Sequence, residues 1–295
     1  MRSLIDLHSH SLVSDGVLTP TALVNYAAEK GVRVLALTDH DDVDGLSEAR
    51  AVAESHGMQF INGVEISVTW RRRTLHIVGL KIDPYYPPLV EGLAKIRAGR
   101  HVRAVGIAEA LEKIGVEGAL EGAYAYSKGG IISRTHFARY LIEKGYARNT
   151  RAVFKHYLVK GKPGYFEHHW ATLEEAVSWI VGAGGIAVIA HPGRYDIGRV
   201  TMLELIHEFR ELGGQAIEVV TGSHTLDQYK TFAKLANQFS LAASIGSDYH
   251  GKQDAYIDMG MIQSLPESCL PVWHDWLPYR PTGCVWMQTR VLPLL

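Results

Sequence analysis

Short apolar runs that break into polar clusters punctuate this chain. Leu4-Ile5-Asp6-Leu7 runs into His8, Val34-Leu35-Ala36-Leu37 into Thr38-Asp39-His40, and Ile186-Ala187-Val188-Ile189 into His191. Their length and continuity read as buried strands. Between them the pattern turns helical. Thr19-Pro20 predicts a helix start, with Thr19 as cap and Pro20 in the first turn, running to Glu29 and stopping at Gly31. Further strands are predicted at 60–68 and 74–82, paired as a hairpin around Arg71-Arg72-Arg73, and later at 216–220 and 241–245. Helices are predicted at 45–56, 173–183 and 202–212, the last two closed by Gly184 and Gly213.

Strands and helices alternate before residue 88 and again after 167, whereas 88–167 keeps a helical rhythm, as in Leu93-Ile96-Arg100 and Phe137-Leu141-Ile142, with clustered basic residues. The expected architecture is α/β: a barrel from 1–87 and 168–276, a helical subdomain over 88–167 inserted above its mouth, and a tail at 277–295 with no assigned role.

Composition narrows the class. At 295 residues, 47% hydrophobic and 21% charged, the chain can bury a sizeable core. A formal net charge of -1 argues against a broad electrostatic hold on long nucleic acid. Cys269 and Cys284 are too few for a disulfide framework. No apolar run reaches membrane-spanning length and no signal-peptide core precedes the first strand, so the expected compartment is the cytoplasm.

The candidate chemistry sits at the strand ends. Strands of a parallel barrel finish on one face, so residues distant in sequence converge there. His8 and His10 with Asp15, His40, Glu65, His76, His191, and Asp248 with His250 form such a set. In His8-Ser9-His10 the alternation of an extended segment puts both imidazoles on one side. Mixed imidazole and carboxylate donors suit zinc, iron or manganese better than calcium. His56, His101, His156, His168, His169, His207 and His274 lack such partners and read as surface or core groups, while His224, after the strand ending at Val220, is a candidate proton donor. Arg97, Arg100 and Arg103 at helical spacing read as a solvated face.

Asp6-Leu7-His8-Ser9-His10, Ser14-Asp15-Gly16, Leu37-Thr38-Asp39-His40-Asp41, Gly63-Val64-Glu65-Ile66-Ser67, His76-Ile77-Val78-Gly79, Ala190-His191-Pro192 and Gly246-Ser247-Asp248-Tyr249-His250, taken together, resemble the polymerase and histidinol phosphatase (PHP) superfamily of metal-dependent phosphoesterases. The resemblance covers most of the chain and implies a distorted (β/α)7-type barrel. Ser133-Arg134-Thr135-His136-Phe137-Ala138-Arg139 and His191-Pro192-Gly193-Arg194-Tyr195 resemble the branch of nucleoside 3′,5′-bisphosphate phosphatases and 5′→3′ exoribonucleases.

That resemblance implies three divalent metal positions: His8, His10, Glu65 and Asp248; Glu65 as a bridge with His76 and His191; and Asp15, His40 and His250. Manganese is the expected ion, with zinc or iron as alternatives. It further implies attack of a metal-bound hydroxide on the 3′-phosphate of a nucleoside 3′,5′-bisphosphate. Arg194 is then expected on phosphate oxygens, and Arg134 on a second phosphate with Ser133, His136 and Arg139 in support. Trimming of short 5′-phosphorylated RNA is the neighbouring expectation. Histidinol-phosphate hydrolysis and a non-catalytic metal-dependent binding module are more distant ones. No obligate protein partner and no membrane association is expected.

Overall fold

The computed structural model describes residues 2–128, 130–252 and 255–275. Seven strands, β1 (Ile5–Asp6), β2 (Val34–Leu37), β3 (Gln59–Trp70), β4 (Arg73–Leu80), β5 (Ile186–Ile189), β6 (Ala216–Thr221) and β7 (Ala242–Gly246), lie side by side in chain order. Neighbours are parallel except that β4 runs antiparallel to both β3 and β5. The two edges meet through Leu7 N–H to the Ile245 carbonyl (3.1 Å), Asp248 N–H to the His8 carbonyl (2.8 Å) and His10 N–H to the Tyr249 carbonyl (3.0 Å). The sheet therefore curls into a nearly closed, distorted (β/α)7 barrel, as expected. A Cβ on Gly246 would come within 2.2 Å of His8 Cβ, so only glycine lets β7 approach the segment after β1 this closely.

The described α-helices are α1 (Pro20–Glu29), α2 (Leu46–Ser55), α3 (Pro87–Glu112), α4 (Ala119–Ser127), α5 (Arg134–Glu143), α6 (Thr150–Val153), α7 (Leu173–Gly182), α8 (Arg199–Glu211) and α9 (Leu226–Gln238), with a π-helical turn at Phe154–Leu158 and a 3-10 turn at Pro192–Arg194. At the start of α1, the Thr19 hydroxyl accepts from Ala22 N–H at 3.1 Å with Pro20 in the first turn. The β3–β4 hairpin turns on Arg71 and Arg72 at φ of 45° and 63°, the positive pair that matches the twist of flanking strands. Helix α9 is missing from the expected elements, although Thr225 and Gln228 form a capping box and Tyr229, Phe232, Ala233 and Ala236 make a buried stripe. None of the helices among the described residues is long and apolar enough to cross a membrane. The tail at 277–295 lies outside the described residues.

Helices α3 to α6 build a second core around Ile107, Leu111, Phe137, Leu141, Val153 and Leu158. Helix α3 serves both cores: Leu89, Leu93 and Ile96 pack on the barrel, whereas Ala104, Ile107 and Leu111 pack in the second core. Packing therefore changes hands inside one 26-residue helix.

The solvated face expected for α3 is corrected here. Arg100 is only 5% exposed; its guanidinium pairs with the Asp41 carboxylate and donates to Ser67 Oγ at 2.9 Å. Arg97 donates to the Asp41 carbonyl (2.9 Å) and lies 3.6 Å from the Asp42 carboxylate. Helical spacing puts these arginines on one stripe but does not say whether the stripe meets water or the acidic rim of the barrel. Arg100→Met leaves the buried Asp41 carboxylate with the Ser67 N–H (2.7 Å) but without its cation, so the urea midpoint is expected to fall by the equivalent of about 3–5 kcal/mol. A change below about 1 kcal/mol would mean that the pair does not fasten α3 to the barrel.

Candidate metal centre and substrate cleft

Nearly every strand delivers a donor to one rim. His8 and His10 follow β1, His40 follows β2, Glu65 lies within β3, His191 follows β5, and Asp248 and His250 follow β7. Strand β4 runs the other way, and its early residue His76 pairs with Ser67, which brings it to the same end. Asp15 comes from the loop after His10, and all nine are buried except the half-buried His76 and His250.

The spacing of the donor atoms is that of a coordination shell. His8 Nε2 lies 3.1 Å from His10 Nε2, 3.2 Å from Glu65 Oε2 and 3.4 Å from Asp248 Oδ1; His10 Nε2 lies 3.2 and 3.3 Å from the same two oxygens. Metal–donor bonds of about 2.0–2.2 Å produce edges of about 3 to 3.5 Å between adjacent donors. Hydrogen bonding accounts for the group less well, because Glu65 Oε2, Asp248 Oδ1, Asp15 Oδ1 and His40 Nδ1 are buried with no hydrogen-bond partner. Each such orphan costs about 1–3 kcal/mol, which a shared cation would offset. The donor set fits divalent transition metals.

Two further groups adjoin the first. Glu65 Oε1 lies 2.8 Å from His191 Nε2 and 2.9 Å from His76 Nδ1, so the two oxygens of Glu65 face different clusters. His250 Nε2 lies 3.1 Å from Asp15 Oδ1, with His40 Nε2 at 3.9 Å. His40 stands between groups, its Nδ1 3.1 Å from Glu65 Oε2, and the His10 and His250 rings stack at 4.1 Å. His191 and Asp248 hold left-handed backbone at φ of 27° and 55°. Such strain, about 1–3 kcal/mol per residue, persists where surrounding bonds impose it and clusters at functional sites.

Charge in the centre is balanced between acids and imidazoles. Burial by itself would depress His10, yet the carboxylates of Asp248 and Glu65 hold it up at about 9. His8 is likewise depressed by burial but raised well above its ordinary value by Glu218, Glu65 and Asp248. Burial would raise Glu65, Asp15 and Asp248, but neighbouring imidazoles, and Arg194 beside Asp248, hold all three well below the carboxylate range. Burial lowers His191 to about 4. With His8 and His10 raised, the metal-free protein carries protons at neutral pH that a cation must displace. Manganese affinity in chelator competition is therefore expected to increase between pH 7 and 9, by up to about tenfold per pH unit for each proton released. A flat profile would show that neither histidine is protonated before metal binds.

Beside the centre opens a cleft of about 1800 Å³, lined by barrel and insertion alike. Arg194 reaches it with a nitrogen 2.5 Å from Asp248 Oδ2. Arg134, the first residue of α5, lines it with its guanidinium 5.4 Å from the Phe154 ring. Ser133 and Arg139 also line it but bond to Asp15: Ser133 Oγ donates to Oδ2 and Arg139 to the carbonyl, each at 2.9 Å. These bonds tie the insertion to the metal group.

Two expected roles are corrected. His136 is 0% exposed and does not line the cleft; its Nδ1 accepts from Ser133 N–H at 3.1 Å as part of a capping box. It shapes the turn that presents Arg134. His224 is no proton donor in this arrangement, because its Nε2 accepts from Gly193 N–H (2.9 Å), its Nδ1 bonds the Val219 carbonyl (3.1 Å) and its ring stacks on Phe232. It braces the loop that carries His191 and Arg194. Three acids were overlooked. Asp39 accepts from Ser11 N–H, Ser11 Oγ and Ser14 Oγ at 2.6–2.7 Å, Asp6 accepts from Ser247 N–H at 2.8 Å, and Glu218 contacts His8. A lone acid within or just beyond an apolar strand was the available signal.

The PHP domain model matches residues 6–252. The chain belongs to the PHP domain family. Among PHP proteins, it is 52% identical over 272 residues to a Chromobacterium violaceum protein named 3′,5′-nucleoside bisphosphate phosphatase, covering 92% of this chain and 95% of that one. It is 43% identical over 275 residues to the Escherichia coli 5′-3′ exoribonuclease Rnm, covering 92% and 94%. A Chromobacterium violaceum structure described as an amidohydrolase with bound sulfate and no metal superposes with a TM-score of 0.90 at 51% identity, covering 92% of this chain and 95% of that one.

Proposed function

We propose that this PHP protein is a divalent-metal-dependent phosphoesterase that removes the 3′-phosphate of nucleoside 3′,5′-bisphosphates, such as 3′-phosphoadenosine 5′-phosphate, giving AMP and phosphate. The observation that carries the reading is a pair of guanidinia in the cleft without carboxylate partners, which we read as a second anion site. Arg103, only 9% exposed, has an Nε with no partner, and among the described residues neither it nor Arg134 forms an ion pair with a carboxylate. Burial, then repulsion from Arg134 and Arg100, disfavours the charged form of Arg103; burial and Arg100 do the same to Arg134. Trp170 packs against the Arg100 and Arg103 guanidinia at 4.9 and 5.0 Å. Unneutralised guanidinia held this way favour a phosphate dianion. A bisphosphate satisfies both ends of the cleft, whereas a monoester satisfies one.

In this reading His8, His10, Glu65 and Asp248 hold one ion, Glu65, His76 and His191 a second, and Asp15, His40 and His250 a third, with manganese the expected occupant and zinc or iron compatible with the donors. When bound, such ions lower the pKa of water and neutralise charge on the phosphoryl and leaving oxygens. Arg194 orients phosphoryl oxygens beside Asp248. Arg103 and Arg134 hold the 5′-phosphate and so set which phosphate reaches the metal group.

One observation favours a second substrate of the same chemistry. The cleft, at about 1800 Å³, exceeds the roughly 300–1,000 Å³ that a small ligand occupies, and Lys128, Arg148 and Arg151 extend its basic lining. A short 5′-phosphorylated RNA would occupy that extension. The deciding experiment is manganese-dependent product analysis at limiting enzyme, with 3′-phosphoadenosine 5′-phosphate beside a 5′-phosphorylated RNA oligonucleotide. Rapid release of AMP and phosphate with slow trimming is the expected result. Preferential release of 5′-mononucleotides from the RNA would make the exoribonuclease activity primary, and hydrolysis of neither would overturn both readings.

A further inference from the structure

Strand β6 contributes no donor to the proposed metal positions. It nevertheless carries a buried acid, Glu218, 1% exposed within the otherwise uncharged Ala216-Ile217-Glu218-Val219-Val220-Thr221. Its pairing with β7 slips between Glu218 and Val220, an irregularity of the kind that re-aims a side chain. The two carboxylate oxygens then reach different partners: Oε1 lies 2.8 Å from His8 Nδ1, and Oε2 accepts from the His191 N–H at 2.5 Å. His8 belongs to the first donor group and His191 to the second.

We infer that Glu218 is a positioning residue that couples the first and second metal positions by holding His8 and His191 through one carboxylate. The inference rests on the metal-centre reading above. A carboxylate only accepts, so His8 Nδ1 carries a proton, and once a cation has displaced the second one Nε2 offers its lone pair on the side of His10, Glu65 and Asp248. Without that partner the neutral ring is free to take the other tautomer, which aims an N–H at the ion. The second bond anchors the left-handed backbone of His191, φ 27°, and keeps its Nε2 2.8 Å from Glu65 Oε1. Displacement at either histidine is thereby transmitted to the other. The third group has no bond to Glu218: His250 Nδ1 bonds the Asp248 carbonyl at 3.0 Å instead.

Glu218→Gln tests this with little change in volume. An amide has one acceptor oxygen, so it satisfies one of the two donors and turns an N–H₂ toward the other. Manganese stoichiometry and chelator-competition affinities are compared for wild type and variant, with the melting temperature of each metal-free protein measured alongside. The expected result is a loss of about 10- to 100-fold in affinity at two positions, with the third unchanged. Wild-type affinities at every position, or an equal loss at all three, would overturn the inference and leave Glu218 a core group. Wild-type protein that binds no divalent ion would overturn the metal-centre reading instead. Should the variant fail to fold, ¹⁵N-histidine NMR of zinc-loaded wild-type protein decides: His8 protonated at Nδ1 and metal-bound at Nε2 is expected, and the reverse tautomer sinks the inference.

Discussion

Glu65→Gln is expected to reduce the hydrolysis of a nucleoside 3′,5′-bisphosphate by more than about a hundredfold in kcat/KM, beyond the 10- to 100-fold typical of residues one step removed from a metal. Glu65 is buried, with Oε2 3.2 Å from both His8 Nε2 and His10 Nε2, and Oε1 2.8 and 2.9 Å from His191 and His76. Among the described residues no other side chain faces so many imidazoles. Glutamine keeps the shape but loses the negative charge, and one of its two ends becomes a donor that opposes imidazole nitrogens and cations alike. The variant should therefore lose ions from two positions together, read as metal content per chain. Activity within tenfold of wild type at saturating manganese, with the full complement of metal, would remove Glu65 from its bridging role.

Arg103→Ala and Arg134→Ala carry the second large effect, and it should be selective. Each is expected to lower kcat/KM for 3′-phosphoadenosine 5′-phosphate by about 10- to 100-fold, the worth of a charged hydrogen bond of about 1.5–3 kcal/mol. Adenosine 3′-phosphate, which has no 5′-phosphate, should change little. Because both guanidinia are proposed to hold one dianion, the double variant should lose less than the product of the single losses. An equal loss on the two substrates would mean that the arginines support the fold or the metal group, and would withdraw the second anion site. Arg103 makes the sharper test, since its buried Nε has no partner among the described residues.

Individual residues show why part of the site was legible before the fold was known. His8-Ser9-His10 declared itself because extended chain alternates its side chains and because two imidazoles so placed share a target. Thr19-Pro20 placed α1 because capping is decided within four residues. Arg100 was misread for the opposite reason, since its partner Asp41 lies 59 residues away in sequence on a different element. His224, the candidate proton donor, shares that reason, because its Nε2 meets the Gly193 N–H, 31 residues away; His136 does not, because its Nδ1 is taken by the Ser133 N–H of the same capping box.

The sequence by itself determined the alternation of strands and helices, the run of helices between β4 and β5, and the nine side chains that lie together at the rim of the barrel. The elements follow from local period and capping, and the donors after β1, β2, β5 and β7 from the rule that parallel strands finish on one face, whereas His76 sits on the reversed strand. Tertiary structure alone decided that β4 pairs antiparallel with β5 as well as with β3, that the edges of the sheet meet, that the α3 arginines are buried against acidic and aromatic partners, and that Glu218 reaches two histidines from different strands. Which atoms a charged group meets depends on segments tens to hundreds of residues distant, and no local pattern encodes that distance.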